Sequence, residues 1–345
     1  MSTMKRTRVT LRDVARRLDV HPSTVSRVLN PRTRSMVADA MAERVMEAVE
    51  DMGYRPNPFA YSLKTNRSFI IGVLIPDITD PLFPPIIQGV ERTMAAAGYT
   101  TILADTDNDP ERQRVNFDIM RERQVDGLII ATARYEDPVI EEARGGDIPM
   151  ILVIRTIADP EMPCVINDDA HGIGLIVSHL AALGHRRIAH IAGPQDVSTA
   201  RVRHRAFEEA MRKAGLEPDP ALVQFCCSFA EDEGRGAASD LLERGEKFTA
   251  MVAANDLLAI GCLDAVKLFG KRCPEDISVT GYNDMPFVDK IQPPLTTVRI
   301  PHDEMGAMAA RLLLKRIEGD ATASGSIAIR PELVVRESTG PVPSS

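Results

Sequence analysis

Ser23, Thr24, Ser26 and Arg27 alternate with Val25, Val28 and Leu29 in one short stretch. Wound into a helix, the apolar side chains take one side and leave three hydroxyls and a guanidinium on the other. Such a face fits a DNA major groove, where hydroxyls reach phosphates or base edges and Arg binds guanine bidentately. The same pattern also suits a helical hairpin in an ordinary core, with Arg27 a solvated charge.

The elements that would position this face are short. Leu11, Val14, Ala15 and Leu18 recur at i, i+3, i+4 and i+7, the stripe of a first amphipathic helix. Asp19-Val20-His21-Pro22 breaks the period, and Pro22 suits the first turn of a second helix. A third helix is expected over 39–52, with Ala40, Met41, Val45, Ala48, Val49 and Met52 on one side and Gly53 ending it. Tyr54-Arg55-Pro56-Asn57-Pro58 cannot continue a helix, and Asn57 can cap the next one, Phe59–Lys64, which is too short to be helical alone in water. Charge separates these elements from the rest. Residues 1–67 hold 13 Lys/Arg and 7 Asp/Glu, net +6, whereas the whole chain is −8, leaving −14 on residues 68–345. A basic head on an acidic body is the footprint of a DNA-binding module joined to a domain with another task.

Thr10-Leu11, Val14-Ala15 and Thr24-Val25-Ser26-Arg27-Val28-Leu29-Asn30 resemble the helix-turn-helix of the lactose-repressor (LacI) family of bacterial transcriptional regulators, and the likeness extends over nearly all 345 residues. The resemblance implies that Pro22, Ser23 and Arg27 face base edges, while Thr10, Thr24, Ser26 and Asn30 hold phosphates or the turn. It also implies that DNA binding folds the 58–67 hinge, one copy from each subunit. Leu63 then wedges into a minor-groove base step and Ala60 allows close approach, at an unstacking cost of roughly a few kcal/mol. Two departures stand in the head: Asp19 occupies the usual turn glycine, and His21 the usual capping serine. Tyr61 replaces a frequent arginine of the hinge.

From Phe69 onward short apolar strands alternate with amphipathic helices. Strands are expected at 69–75, 100–104, 127–131, 150–153, 188–191, 251–253 and 277–280, with helices at 84–97 and 302–318. This alternation implies parallel sheets covered on both faces. The expected fold is a small all-α head plus an α/β two-lobed body, which the family resemblance implies is like the periplasmic sugar-binding proteins. The lobes would comprise 68–166 with 295–328 and 167–294 with 329–345, after a 1–57 DNA-binding domain.

Several classes are disfavoured. No run of 18 apolar residues exists and no apolar signal region precedes the first helix, so a cytoplasmic protein without membrane attachment is expected, on the bacterial nucleoid when bound to DNA. The five cysteines form no Cys-x-x-Cys pair and read as reduced thiols; Cys226-Cys227 is expected buried in an apolar strand, with Cys262 in the core. Gly172-x-Gly174 lacks a third glycine and a clear preceding strand, so no dinucleotide site is expected. His179, His185 and His190 do not share a helix face. No catalytic apparatus, metal site or cofactor is expected. A binding protein for nutrient uptake would share the two lobes but leave the basic head without purpose, and an enzyme on the same fold would lack its catalytic groups.

In the cleft, the resemblance nominates Asp80 and Phe83 from Asp-Pro-Leu-Phe as polar clamp and aromatic floor. It adds Arg155 after the fourth strand, Arg203 opening a second-lobe helix, Asn255 at a strand end, and Asn283 after Gly281-Tyr282. Asp256 and Asp284 are expected to cap helices or pair on the surface. Sugar-binding relatives commonly carry Asp where this chain has Ile154 and Asn283, and a polar residue where it has Ile300. Two arginines then lack balancing carboxylates, so the expected effector is a small sugar-like metabolite, in particular a sugar acid or other carboxylated or phosphorylated anion. The expected assembly is a homodimeric repressor on a pseudo-palindromic double-stranded operator, the effector acting either as inducer or as corepressor. The tail from Gly340 has no heptads, so no C-terminal coiled coil is expected.

Overall fold

The structure is a computed structural model that describes residues 9–29, 33–55, 67–320 and 325–342. Its contacts divide the chain into two compact units, Met1–Ser68 and Phe69–Ser345.

The first unit contains α1 (Leu11–Leu18), α2 (Pro22–Leu29) and α3 (Asp39–Asp51). Thr10 and Asp13 close a capping box at the start of α1, and Asp19 ends it in the left-handed region at φ 53°. Aspartate tolerates that conformation, which explains how the turn forms without glycine. His21 supplies the cap of α2 through its ring, the Ser23 amide donating to Nδ1 at 3.2 Å. Val14, Ala15, Val25, Val28, Ala42, Val45 and Ala48 form the core. Ala40 is exposed and Ala42 takes the inward position, because Ala42, Val45 and Ala48 follow one face of α3 while Ala40 falls on its outer side. Asn30, Asn57, Ala60, Leu63 and the short helix expected at 59–64 lie outside the described residues.

The second unit is built on two parallel sheets. One has the order β11-β5-β4-β3-β1-β2, from β1 (Ile70–Ile75), β2 (Thr100–Asp105), β3 (Gly127–Ile130), β4 (Met150–Val153), β5 (Cys164–Asn167) and β11 (Ser326–Ile329). The other has the order β7-β6-β8-β9, from β6 (Ile188–Ala192), β7 (Val223–Phe225), β8 (Ala250–Ala253) and β9 (Ser278–Thr280). An antiparallel pair, β10 (Thr297–Arg299) with β12 (Glu332–Val334), runs beside them. The central strands are apolar and buried throughout, as sheets covered by helices on both faces require. The helices that position the cleft are α4 (Phe83–Ala96), α5 (Pro110–Glu122), α6 (Pro138–Arg144), α7 (Asp169–Ala182), α8 (Ser198–Lys213), α9 (Glu231–Glu243), α10 (Asp256–Leu268) and α11 (His302–Ile317).

The structure corrects the expectations on residues 295–299, Gly172 and Cys226-Cys227, and meets those on Cys262 and the histidines' packing roles. Residues 295–299 join the second sheet rather than the first, through bridges Thr280–Thr296 and Asn283–Arg299. Gly172 does follow a strand, the four-residue β5, but it lies inside α7 and packs against Tyr282, whose hydroxyl an added Cβ would meet at 2.3 Å. Cys226-Cys227 falls just past the short edge strand β7, so only Cys226 is buried and Cys227 is exposed. Cys262 is core, on α10. Each of the three histidines already serves the fold: His179 meets Thr339 at 3.0 Å, His185 meets Thr249 and Gly340, and His190 donates from Nδ1 to the Val252 carbonyl at 2.8 Å.

Candidate functional site

In each sheet the strand order reverses, between β1 and β3 in one and between β6 and β8 in the other. Such switch points open a crevice beyond the carboxyl ends of the strands. Asp80 stands in the turn after β1, Phe83 begins α4, Arg155 follows β4, Asn255 caps α10 and Asn283 follows β9. Arg203 lies in the second turn of α8 rather than at its start. All six line one inner chamber of about 30 Å³, together with Leu82, Ile154, Thr199 and Phe229. An outer cleft of about 330 Å³ shares Asp80, Phe83, Arg155 and Phe229 with it and adds Asn108, Arg134, Asp196 and Cys227. Ligand sites commonly enclose roughly 300–1,000 Å³. The outer cleft therefore has ligand dimensions, while the inner chamber is closed down.

The sequence reading missed Thr199, Phe229, Asn108, Arg134 and Asp196. Apart from Thr199, in the first turn of α8, each sits a few residues past a strand end: Asn108 after β2, Arg134 after β3, Asp196 after β6 and Phe229 after β7. Taking every strand's C-terminal loop, rather than those matching a family motif, would have found these four.

The two arginines differ in their electrostatic state. Arg203, 2% exposed, holds Asp169 at 3.0 Å, donates to the Ala254 carbonyl at 2.6 Å and to Asn283 Oδ1 at 3.4 Å, and lies 3.8 Å over the Tyr282 ring. Burial pushes the Asp169 carboxyl up, and Arg203 pulls it back. The expectation of two unbalanced arginines is corrected here: Asp169, from the start of α7, already neutralises Arg203. Arg155 has no carboxylate within ion-pair distance among the described residues, and its guanidinium donates to Asn108 Oδ1 at 3.3 Å. Burial lowers its pKa to about 10, against the pull of Asp80 and Asp196. The Asp80 carboxyl is pushed up by its own burial, despite a hydrogen bond from the Leu82 amide.

The backbone aims Arg155 inward. Its amide donates to the Val153 carbonyl at 2.7 Å, closing a three-residue turn over Ile154 at φ 65°. A β-branched residue in that region carries strain of order 1–3 kcal/mol. Asn255 spends Oδ1 on the Leu258 amide and Nδ2 on the Phe229 carbonyl. Its place in the chamber is thus held by helix capping. Asp256 is fully buried rather than at the surface, accepting from Thr297 Oγ1 at 2.6 Å and the Met285 amide at 2.8 Å. Asp284 pairs with Arg299 and Arg336, each at 2.6 Å, but is itself mostly buried.

A clasp spans the cleft mouth. Arg134 meets Asp196 at 2.7 Å, the Tyr135 amide donates to the Asp196 carbonyl at 2.7 Å, and Arg201 stacks 4.1 Å over the Tyr135 ring. The Thr156 amide donates to Ser198 Oγ at 2.9 Å. Three residues that follow the first sheet's strands, Arg134, Tyr135 and Thr156, thereby grip the start of α8 and the loop before it.

In the first unit, α2 buries Val25 and Val28 and leaves Arg27 exposed, with Pro22, Ser23, Thr24 and Ser26 half-exposed beside it. Thr10 donates its hydroxyl to Asp13 at 2.7 Å, a capping role.

Two family descriptions match this chain: bacterial regulatory proteins, lacI family, over residues 10–57, and a periplasmic binding protein-like domain over 177–339. The chain is 34% identical to the ribose operon repressor of Halalkalibacterium halodurans over 330 residues, covering 96% of this chain and 97% of that one. It is equally 34% identical to the HTH-type transcriptional repressor CytR of Escherichia coli strain K12, covering 98% of both. Among solved structures, the Lac repressor dimer bound to operator and the anti-inducer ONPF is similar with a TM-score of 0.85 at 28% identity, covering 97% of this chain and all of that one. A complex of the transcriptional regulator CelR with cellobiose gives a TM-score of 0.73 at 30% identity, covering 96% of this chain and all of that one.

Proposed function

Since the chain belongs to the lacI family of bacterial regulatory proteins, we propose that it is a repressor whose α2 reads the major groove while a small metabolite held in the cleft sets operator affinity. The observation that carries this reading is the partition of α2, which buries Val25 and Val28 and presents Ser23, Thr24, Ser26 and Arg27 outward. Arg27, Ser23 and Pro22 address base edges; Thr24 and Ser26, with Asn30, hold phosphates. Asn57, Ala60 and Leu63 act in the 58–67 hinge. Asp80, Phe83, Arg155, Arg203, Asn255 and Asn283 frame the effector.

A homodimer sets two α2 helices about one DNA turn apart, roughly 34–36 Å, on a pseudo-palindromic operator. The division of labour is a head of 1–57, a first lobe of 68–167 with 300–329, and a second lobe of 168–299 with the C-terminal strand. Effector binding changes the closure of the cleft, and through it the hinge, with a coupling of roughly 1–3 kcal/mol. The protein works in the bacterial cytoplasm, on the nucleoid when DNA-bound, as a regulator and not an enzyme.

Selection of genomic fragments by the purified protein, followed by sequencing, tests this. An enriched two-fold symmetric site is expected, lost on deletion of residues 1–67 while cleft binding survives. Failure to enrich any sequence over bulk competitor, with or without cell extract, overturns the reading.

A further inference from the structure

We infer that Arg155 is the receptor for an anionic group, so that the effector is a hydroxylated carboxylate or phosphate ester and not a neutral sugar. This deepens the reading of the cleft as the effector site and rests on it. Three observations carry it. Arg155 is 7% exposed, lines both the inner chamber and the outer cleft, and has no ion-pair partner among the described residues. The other buried arginine of the chamber already has its counter-ion: Asp169 neutralises Arg203, and the Ala254 carbonyl and Asn283 take further N–H groups. The turn over Ile154, held at φ 65°, fixes the backbone from which Arg155 reaches the chamber, whose lining Ile154 shares.

A buried guanidinium without a counter-ion is costly, and the cost is removed when a ligand oxyanion accepts two of its N–H groups. Neither nearby acid lies within ion-pair distance of it: Asp196 is engaged by Arg134 at 2.7 Å, and Asp80 acts on Arg155 only at longer range. Phe83 and Phe229 give the apolar walls against which a ring or carbon chain lies, and Asp80 and Asn283 offer acceptors for hydroxyls. Among the described residues of the chamber, one cation without an ion-pair partner matches one anionic group on the ligand.

The test uses the full-length protein, wild type and Arg155→Met, by thermal shift and calorimetry with matched probes. These are gluconate against glucose, glucose 6-phosphate against glucose, and inorganic phosphate against sodium chloride at equal ionic strength. The wild type is expected to gain melting temperature with the anionic member of at least one pair. Arg155→Met is expected to lose that gain with at least tenfold weaker binding, and to melt about 2–4 °C higher than wild type without ligand, because an unpaired buried charge has gone. Arg155→Lys keeps part of the response.

Equal stabilisation by glucose, or an anion response that survives in Arg155→Met, overturns the assignment. So does the absence of any response, phosphate included. Selection of an operator in the same preparation separates this failure from failure of the regulator reading: an operator bound and released by a neutral sugar removes only the anion.

Discussion

Arg134 and Asp196 close the cleft mouth with a 2.7 Å ion pair between loops that follow β3 and β6. Their side chains are 34% and 52% exposed, so the pair is worth only about 0.2–1 kcal/mol. Its leverage is positional. Arg134→Ala should leave overall stability nearly unchanged and raise the dissociation rate of a cleft ligand by up to about fivefold. Stopped-flow displacement measures it, and an unchanged rate would show that the clasp plays no part in gating.

Asp169→Asn leaves Arg203 buried and unpaired, and should destabilise the body by about 3–5 kcal/mol. Arg203→Ala exposes the converse problem, a buried Asp169 without its cation, so loss of effector response in that variant will come with loss of stability. Urea unfolding of both variants checks the pair; a cost under 1 kcal/mol in each contradicts it.

Gly172→Ala sets a methyl group 2.3 Å from the Tyr282 hydroxyl, on a ring that is fully buried beneath Arg203. Overpacking of this kind costs about 1–3 kcal/mol. The same displacement moves Arg203, so the variant should bind cleft ligands more weakly than the stability loss alone explains. Gly174→Ala, with open space at its Cβ, is the control.

Acid stability carries a signature of His190. Burial lowers its pKa to about 3, while the unfolded state protonates near 6.5. Between those values the unfolded chain binds the extra proton, so folding stability is complete above pH 6.5 and falls as pH drops, by about 1.4 kcal/mol per unit from this group. His190→Phe keeps a ring stacked between His204 and Phe207 and should flatten the slope by that amount. Chemical denaturation at pH 6.5 and 4.5 measures the difference; parallel curves for the two proteins would refute it.

Arg27→Ala should cost about 1–3 kcal/mol of operator binding and relax preference at one base pair per half-site. Uniform weakening on every sequence would mean that Arg27 holds phosphate instead. Competition binding against a set of single-base operator variants distinguishes the two.

The helix-turn-helix was legible in the sequence because its signals are local. The Leu11-Val14-Ala15-Leu18 stripe, the Thr10 cap and the stop at Asp19 all act within one or two turns. The six residues that line the chamber were named from a family resemblance; Asp80, Arg155, Asn255 and Asn283 do stand past strand ends, where a local pattern places them, whereas Arg203 sits in the second turn of α8 and reaches the chamber only through the packed fold. What the local pattern does not contain is which distant charges meet. Asp169 and Arg203 are 34 residues apart, on separate helices, and only the folding of α7 against α8 brings them to 3.0 Å. That contact decided that one arginine of the cleft is paired within the fold, while the other has no ion-pair partner among the described residues. Coulomb energy depends on distance, and distance between remote residues is a property of the packed chain alone.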